Sequence, residues 1–492
     1  MSKHSKPAAR LDRAQLPRLD AHTLGTWRQA PAIGIVHLGL GNFHRAHQAL
    51  LTEMAMHKAG GDWAICGVNL LDDTAMQAAL APQENLYSVL IRDAAGEQVV
   101  VVQSIREVLV LPREPEAVMA RLRDPATRIV SLTVTEKGYC YDARTGGLDL
   151  THPAVQHDLA HPDQPCSVPG LLVAALRARR AQPFTVMSCD NLAHNGRVLR
   201  QVVIDFAAQI DPELAAWIAA EVCFPCTMVD RIAPATTDAD RAAAELALGA
   251  IDAWPVPCER FYQWVIEDRF AQGRPAWEKV GATLTDDVIP YELAKLRMLN
   301  GTHSTIAYLS LLAGFETVDQ AIADPTIYTL IRNMMTEEIA PTLRMPAGFD
   351  VLAYRDELLA RYANPALKHR IAQISMDGSL KLPPRLLGTL QERLAAGLPV
   401  RRHLLAVAAW MRCLWGVSDH GQRFELSDPI APRLLKIAAD CSNAPDQLVV
   451  QLLGVSEIFS PQLAQSDQLR VDLLQALLAL EDGALRAAKA LG

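Results

Sequence analysis

The spacing of hydrophobic and polar positions divides the chain into two parts. In the first part, short apolar runs alternate with helical stretches. The opening example is an apolar run at 33–38, a glycine turn, a helix from about Arg45 to Ala59 and a second apolar run at 63–70. A strand, a turn, a helix and another strand within about 40 residues are typical of a parallel sheet with helical crossovers. Further strand-like runs lie at 98–102, 128–134, 184–188 and 264–267.

The second part has a helical pattern almost throughout. After about residue 289 the strand-like runs nearly vanish, and the helical stretches lie at 291–313, 319–337, 351–362, 404–414, 430–440 and 471–491. We therefore predict a doubly wound α/β domain over residues 1–285 and a mostly α-helical domain over residues 286–492. Residues 1–30 are polar, and we expect them to form an irregular lead-in.

Composition narrows the class of protein further. The chain has 492 residues, of which 50% are hydrophobic and 21% charged, with a net charge of −8. This balance is typical of a soluble globular protein, and its mild acidity disfavours sequence-independent nucleic-acid binding. We see no apolar run of the ~20 residues that cross a membrane, and no secretory signal. The scattered cysteines disfavour a disulfide framework. We expect a cytoplasmic protein without nucleic-acid or membrane partners, and a monomer is compatible with the sequence.

A pair of glycines follows the first predicted strand and precedes the first predicted helix, in the sequence Gly-Leu-Gly-Asn-Phe-His at 39–44. In a Rossmann-like fold the pyrophosphate of a dinucleotide lies at such a turn, because glycine lets the backbone approach and the helix N–H groups face the phosphates. His44 stands where the usual fingerprint has a third glycine, so the pair alone also fits an ordinary loop. The candidate cofactor residues of the turn are Gly39, Gly41, Asn42, Phe43 and Arg45, whose guanidinium is expected to add a cation to the phosphates.

The end of the second predicted strand is expected to contact the adenosine ribose. The strand ends at Asn69, with Asp72 and Asp73 just beyond, and we expect no Arg or Lys nearby to hold a 2′-phosphate. An acidic residue in this region favours NAD, whereas an arginine accommodates the 2′-phosphate of NADP. We therefore predict NAD as the cofactor, with Asn69 as a ribose ligand.

The densest polar cluster of the second part is the stretch 291–304, which contains Lys295, Asn300 and His303. At roughly 100° per residue, His303 lies about 80° and Asn300 about 140° around the helix from Lys295, so one broad face can carry all three. A desolvated lysine can act as a base near neutral pH. The spacing alone also fits a surface lysine beside a capping asparagine.

Five blocks distributed over both parts are similar to a known family. They are HLGLGNFHRAHQ (37–48), SLTVTEKGY (131–139), TVMSCDN (185–191), FPCTMVDRI (224–232) and KLRMLNGTHS (295–304). Together they resemble the long-chain polyol dehydrogenases, also called the mannitol dehydrogenase family. Within that family, WVIEDRF (264–270) and ISMDGSLKLPPRL (374–386) look most like the fructuronate reductases.

The resemblance implies hydride transfer without a metal. Lys295 would be the general base, and Asn191 and Asn300 would donate hydrogen bonds to the reacting oxygen, where charge develops. His303 would orient the substrate, and Asp230 would bind a substrate hydroxyl. The reaction implied is the interconversion of D-fructuronate and D-mannonate in hexuronate breakdown.

A sugar acid also requires a cation for its carboxylate. The candidates are Lys381, Arg385 and Arg370, although a solvated surface loop fits these charges equally well. Two other functions stay open: a mannitol or arabinitol dehydrogenase acting on a neutral polyol, and a dinucleotide-binding sensor without chemistry. Tyr291 and Lys295 also match the Tyr/Lys pair of short-chain dehydrogenases, but they follow the glycine turn by more than 240 residues, so we interpret Tyr291 as incidental.

Overall fold

The computed structural model describes residues 9–27, 29–93, 96–365 and 369–492. The chain divides into two compact units, Met1–Val288 and Ile289–Gly492. The described strands all fall in the first unit and are β1 (Ile33–Leu38), β2 (Ala64–Asn69), β3 (Tyr87–Asp93), β4 (Gly96–Val102), β5 (Ile105–Val110), β6 (Ile129–Leu132), β7 (Tyr141–Asp142), β8 (Gly147–Leu148), β9 (Thr185–Ser188), β10 (Thr227–Asp230), β11 (Val256–Glu259), β12 (Gln263–Glu267) and β13 (Thr283–Thr285).

A five-stranded parallel sheet forms the centre of the first unit, in the order β5-β2-β1-β6-β9. The strand order reverses between β1 and β6, and a doubly wound sheet binds its ligand at the carboxyl ends of the strands at such a point. Successive residues of β1 belong to different cores, with Val36 and Leu38 in one and Ile35 in the other. The sheet is therefore buried on both faces, which confirms the predicted doubly wound α/β class.

Helices connect the strands of the first unit. Those of eight residues or more are α1 (Leu50–Ala59), α2 (Pro115–Arg123), α3 (Pro153–Ala160), α4 (Val168–Ala178), α5 (Asn195–Ile210), α6 (Pro212–Glu221) and α7 (Asp238–Leu248). The turn Asn42–His44 and a π-helical segment, Arg45–Ala49, run directly into α1. The helix that follows the glycine turn thus begins three residues earlier than the hydrophobic pattern indicates.

The lead-in is more ordered than we expected. Residues Arg13–Arg18 and Asp20–His22 form short 3₁₀ helices. Leu11, Leu16 and Leu19 are buried in one core with residues of β3 and β4. The expectation of an irregular segment was wrong for these residues because three leucines spaced through a polar stretch suffice to fix it to the small sheet β11-β3-β4.

The second unit is helical, and its described residues contain no strand. Its helices of eight residues or more are α8 (Thr302–Ala313), α9 (Pro325–Asn333), α10 (Val351–Tyr362), α11 (Gly388–Ala395), α12 (Arg401–Cys413), α13 (Ala431–Asp440), α14 (Pro445–Leu453) and α15 (Asp467–Ala479). Further π-helical segments are Lys295–Gly301, Met334–Ile339 and Pro383–Leu387. These findings confirm the mostly helical class of this unit.

Two helices predicted as continuous are interrupted. The expected helix at 319–337 breaks at Asp324, whose carboxylate accepts the backbone N–H groups of Thr326 (2.8 Å) and Ile327 (3.2 Å). Pro325 favours this break because proline suits the first turn of a new helix but not the interior of one. The expected helix at 471–491 is broken at Gly483, where φ is +101°.

Candidate active site

The glycine turn lies at the carboxyl end of β1, beside the point where the strand order reverses. Gly39 has φ +90°, and a Cβ at this position would lie 2.2 Å from the Thr133 carbonyl oxygen, so only glycine fits. A Cβ at Gly41 would meet nothing closer than 3.9 Å, so the backbone faces open space there. The free approach and the N–H groups at the start of the following helix fit the pyrophosphate of a dinucleotide.

A buried histidine supports this turn. His37 Nε2 lies 2.9 Å from Thr133 Oγ1, and that hydroxyl donates to the Gly39 carbonyl at 2.9 Å. Burial lowers the pKa of His37 to about 3, so the ring is neutral and serves as a hydrogen-bonding link. Sequence reasoning missed this residue, although a histidine within an otherwise apolar strand was a visible signal.

Arg45 was predicted to contact the cofactor phosphates, but its guanidinium is bonded within the protein instead. Its side chain is fully buried and donates to the Trp254 carbonyl (2.7 Å) and to Asn42 Oδ1 (2.7 Å), with the guanidinium over the Tyr87 ring. Asn42 Nδ2 in turn donates to the Pro234 carbonyl at 2.8 Å. Both side chains therefore fix the start of the helix, and what remains for a ligand is the backbone of the turn. Phe43, partly buried, stacks on His47 at 4.9 Å.

The carboxyl end of β2 has a cation that the sequence did not predict. Asn69 closes the turn after the strand, since its amide donates to the Asp73 carbonyl (2.7 Å) and its oxygen accepts from Leu71 N (3.1 Å). Arg113 forms a two-bond pair with Asp72, Nε–Oδ1 at 2.6 Å and Nη2–Oδ2 at 3.1 Å. The expectation that no arginine lies nearby was wrong because parallel pairing of β2 with β5 brings a distant segment to this edge.

Asn191 lies in the turn after β9, and a neighbouring carboxylate holds that turn. Asp190 is buried, and it accepts from the backbone N–H groups of Val134 (3.0 Å) and Thr135 (2.9 Å) and from the Tyr139 hydroxyl (2.7 Å). Burial raises the pKa of Asp190. The turn that presents Asn191 is thereby fixed to the loop that follows β6.

Asp230 is the last residue of β10 and is 7% exposed. The amide of Asn195 donates to the carbonyl oxygens of Asp190 (3.0 Å) and Thr227 (2.9 Å). The Asn195 side chain therefore connects the turn that carries Asn191 to the strand that carries Asp230. Sequence reasoning placed both candidates after strand-like runs but could not find the asparagine that links them.

Lys295 begins a π-helical segment in the second unit, Lys295–Gly301, and is 8% exposed. In a π-helix the backbone bonds run from i to i+5, so residues five apart lie about one turn apart. Asn300 therefore lies on the same side of the helix as Lys295. The prediction of about 140° between them was wrong because it assumed regular α-helical spacing.

Contacts with three residues stabilise this widened turn. A Cβ at Gly301 would lie 2.7 Å from the backbone carbonyl oxygen of Arg385, so only glycine allows the two π-helical segments to touch. The Tyr362 hydroxyl donates to the Leu299 carbonyl at 2.9 Å, and the Thr302 hydroxyl donates to the Met298 carbonyl. Hydroxyl groups thus satisfy carbonyls that regular α-helical bonding would otherwise use.

His303 follows in α8 and presents a polar atom without a partner. Its Nε2 is buried and has no hydrogen bond within the described part of the chain. The ring packs on Tyr362 at 4.5 Å and lies 5.9 Å from His369. Burial, and then the charges of His369, Arg361 and Arg385, lower the pKa of His303 well below its usual value. The ring is therefore neutral at pH 7 and can bond a substrate hydroxyl.

The structure distinguishes the three candidate carboxylate ligands. Lys381 Nζ lies 3.8 Å from Asp377 Oδ2 and donates to the Ile374 carbonyl (3.4 Å), so its charge is already paired. Arg370 is exposed at the start of a short helix. Arg385 is partly buried, and among the described residues its guanidinium bonds only the Ser304 hydroxyl, at 3.3 Å, with no carboxylate. Burial lowers its pKa.

Family profiles match both units. The profile of the mannitol dehydrogenase Rossmann domain matches residues 33–279, and that of the mannitol dehydrogenase C-terminal domain matches residues 287–481. The chain therefore belongs to the mannitol dehydrogenase family, which confirms the predicted family and the predicted oxidoreductase class. Within the described ranges, every helix is too short or too polar to cross a membrane.

Relatives of different specificity cover nearly the whole chain. The D-mannonate oxidoreductase of Escherichia coli (strain K12) is 46% identical over 438 residues, 88% of this chain and 90% of that protein. The mannitol 2-dehydrogenase of Phaeosphaeria nodorum is 41% identical over 485 residues, 96% of this chain and 84% of that protein. The solved ternary complex of Pseudomonas fluorescens mannitol 2-dehydrogenase with NAD and D-mannitol is 38% identical, with a TM-score of 0.82 over 98% of this chain and 99% of that one.

Proposed function

We propose that this chain interconverts D-fructuronate and D-mannonate, using NAD. The observation that carries the proposal is Arg385, a partly buried guanidinium without a carboxylate partner among the described residues, whose backbone touches the lysine segment at Gly301. A carboxylate neutralises such a guanidinium through charge-assisted hydrogen bonds, and a neutral polyol has no group that does so. The 46% identity to a D-mannonate oxidoreductase supports the same substrate.

The chain's own backbone would hold the cofactor. The turn at Gly39 and Gly41 takes the pyrophosphate, and the edge near Asn69 takes the adenosine ribose. When bound, NAD accepts the hydride from the alcohol carbon or, as NADH, returns it to the keto carbon.

The nine cysteines are all free, which supports a reducing cytoplasmic location.

The chemical step is assigned to the lysine segment. In the reducing direction, Lys295 Nζ gives a proton to the keto oxygen as that oxygen becomes a hydroxyl, and in the oxidising direction it takes the proton back. Asn300, one helical turn away, donates a hydrogen bond to the same oxygen and stabilises its developing charge. The neutral His303 ring orients the substrate through a hydroxyl. For Asn191 and Asp230 we keep the roles that the family resemblance implies.

Substitution of the arginine tests the substrate assignment. Arg385→Met is expected to lower kcat/KM for fructuronate by roughly 10- to 150-fold, since a hydrogen bond to a charged group contributes ~1.5–3 kcal/mol. Activity on fructose should change far less. Lys381→Met is the matched control, and its effect on fructuronate should be smaller because Asp377 already pairs with that lysine. Equal losses on both sugars in Arg385→Met would contradict the assignment.

A neutral polyol is the second candidate substrate. It is supported by the 41% identity to a mannitol 2-dehydrogenase and by the solved relative that holds D-mannitol. Following NADH absorbance with fructuronate, fructose and xylulose separates the two functions. A wild-type preference for fructose or xylulose would establish the polyol function, and NADH binding without turnover of any sugar would favour a sensor.

A further inference from the structure

Three side chains with different ligand atoms converge in the first unit, outside the candidate active site. His157 and Asp158 lie in α3, and Cys166 lies in the loop between α3 and α4. Their ligand atoms all lie within 4.8 Å of one another, and within the described ranges this is the one group of three or more such residues that meets this limit.

The triangle of ligand atoms is close to that of a tetrahedral zinc site. Zinc binds at Zn–S of about 2.3 Å, Zn–N of about 2.0–2.1 Å and Zn–O of about 2.0–2.2 Å. At tetrahedral angles, these bond lengths place the sulfur about 3.6 Å from both the nitrogen and the oxygen, and the nitrogen about 3.4 Å from the oxygen. The observed separations are 3.6 Å for Cys166 Sγ to His157 Nδ1, 3.2 Å for Sγ to Asp158 Oδ1 and 2.9 Å for Nδ1 to Oδ1. The three ligand atoms therefore need to move only slightly away from one another to bind one zinc ion.

We propose that His157 Nδ1, Asp158 Oδ1 and Cys166 Sγ bind one Zn²⁺ ion, with water as the fourth ligand. The combination of thiolate and imidazole selects zinc over Mg²⁺ or Ca²⁺. On binding, the thiol proton is released to solvent and the sulfur donates an electron pair to the metal. The ion would fasten the loop between α3 and α4 to the end of α3.

Asp158 is positioned in advance for this role. The carboxylate is buried, and its Oδ2 accepts from the Ser167 backbone N–H (2.8 Å) and hydroxyl (2.6 Å). Its Oδ1 accepts from the Cys166 backbone N–H at 2.9 Å and keeps a lone pair for the metal. The other two ligands are accessible from solvent, since the His157 side chain is 44% exposed and Cys166 is exposed.

Two other interpretations of the cluster fit less well. A reactive cysteine requires a thiolate stabilised by a neighbouring cation, whereas the Cys166 thiol donates a hydrogen bond to the Asp158 carboxylate at 3.2 Å. His161 is a poor fourth ligand, because its ring stacks on His157 at 4.9 Å and its Nδ1 lies 3.1 Å from the His157 carbonyl.

Cobalt binding to the full chain tests the proposal. After removal of metal with a chelator, titration with Co²⁺ should give a thiolate-to-cobalt charge-transfer band that saturates at one ion per chain and disappears when Zn²⁺ is added. Cys166→Ser should abolish the band, and His157→Gln should weaken cobalt binding at least tenfold. Cys223→Ser, which changes another partly exposed cysteine, is the matched control and should keep the band.

Thermal unfolding provides a second measurement. Zn²⁺ should raise the Tm of the wild type and of Cys223→Ser, but not that of Cys166→Ser, because an ion that binds only the folded state stabilises it. Absence of the band at equimolar Co²⁺, or its persistence in Cys166→Ser, would overturn the proposal. Chelation should leave turnover unchanged, so this result stands apart from the proposed function.

Discussion

The glycine turn of the first unit and the lysine segment of the second unit present their functional groups by different means. In the proposed function the backbone at Gly39 and Gly41 is itself the binding surface, and a Cβ at Gly41 would meet nothing closer than 3.9 Å. In the proposed function the side chains of Lys295 and Asn300 carry the chemistry, and both residues lie in a widened helical turn. The first kind of site depends on the order of strands, whereas the second depends on the local helix geometry.

This difference determines what each site tolerates. A backbone site is damaged by an added Cβ, whereas neighbouring side chains act on it indirectly, as Arg45 and Asn42 do by fixing the start of the helix. A side-chain site loses its chemistry with a single truncation while the surrounding fold persists. Substitutions in the two units should therefore separate cofactor binding from turnover.

The largest effect is expected from Lys295→Ala. General acid–base catalysis contributes ~10²- to 10⁴-fold, so kcat should fall by that factor. NADH affinity, measured by fluorescence titration, should stay within about threefold of the wild type because the glycine turn is untouched.

Tyr291→Phe is the control for the lysine variant. Tyr291 packs edge-on against Phe349 at 5.6 Å, so its ring has a structural role that phenylalanine preserves. Most activity should remain. A collapse of kcat in Tyr291→Phe would instead support the short-chain dehydrogenase mechanism. Near-normal turnover in Lys295→Ala would contradict the role proposed for Lys295.

The next effect concerns the glycine pair. Gly41→Ala should fold normally, because its Cβ enters open space, but should weaken NADH binding about tenfold or more by holding the pyrophosphate away from the backbone. Gly39→Ala should also destabilise the fold by about 1–3 kcal/mol, since its Cβ would meet the Thr133 carbonyl. Urea unfolding measures the stability of both variants, and NADH titration measures their cofactor affinity. An equal loss of stability in Gly41→Ala and Gly39→Ala would contradict the hypothesis that only Gly39 is required for folding.

Acid should destabilise the first unit more than the second. Burial lowers the pKa of His37 to about 3 and that of His44 and His303 well below 6.5. As the pH falls, the histidines of the unfolded chain bind protons before those of the folded chain. The contribution of the neutral histidines to the free energy of unfolding is therefore complete above pH 6.5 and decreases below it. The decrease is up to about 1.4 kcal/mol per pH unit for each histidine. Urea unfolding at about pH 7.5 and about pH 5.5 checks the sign, and unchanged stability would refute it.

The smallest effect concerns coenzyme preference. Asp72→Asn should free Arg113 for a 2′-phosphate and strengthen NADPH binding by up to about fivefold, because an exposed ion pair contributes only ~0–1 kcal/mol. NADH binding should not change. The double variant with Arg113→Met should lose the gain, and a gain that survives in it would assign the effect to another residue.

Local patterns predicted part of the fold well. The strand, glycine turn and helix at 33–59 carry their signal within a short window, and so does the helical second unit. Strands β3, β5, β7, β8, β10, β11 and β13 were not among the predicted runs. Several of them are short or pair with segments far along the chain, as β11 does with β3, so their burial is set by tertiary contacts that no short window contains.

The candidate site shows the same limit. The lysine, asparagine and histidine of the second unit were identifiable as a dense polar cluster, but their relative direction was not, because a π-helical turn leaves no mark in hydrophobic periodicity. Arg113 was missed because pairing of β5 with β2 brings it to Asp72 across 41 positions. Arg45 was misassigned because its sequence neighbours give no indication that Trp254 and Tyr87 enclose it.

The contact between Gly301 and the Arg385 carbonyl limits how the substrate range can be redesigned. Exchanging the side chain at 385 leaves the carbonyl in place, whereas an insertion or deletion within 383–387 shifts the surface on which the lysine segment rests. New specificities should therefore arise by exchange of side chains on a fixed backbone. Libraries made by loop grafting in this region should lose turnover of every sugar together, while point-substitution libraries should yield variants that trade one sugar for another.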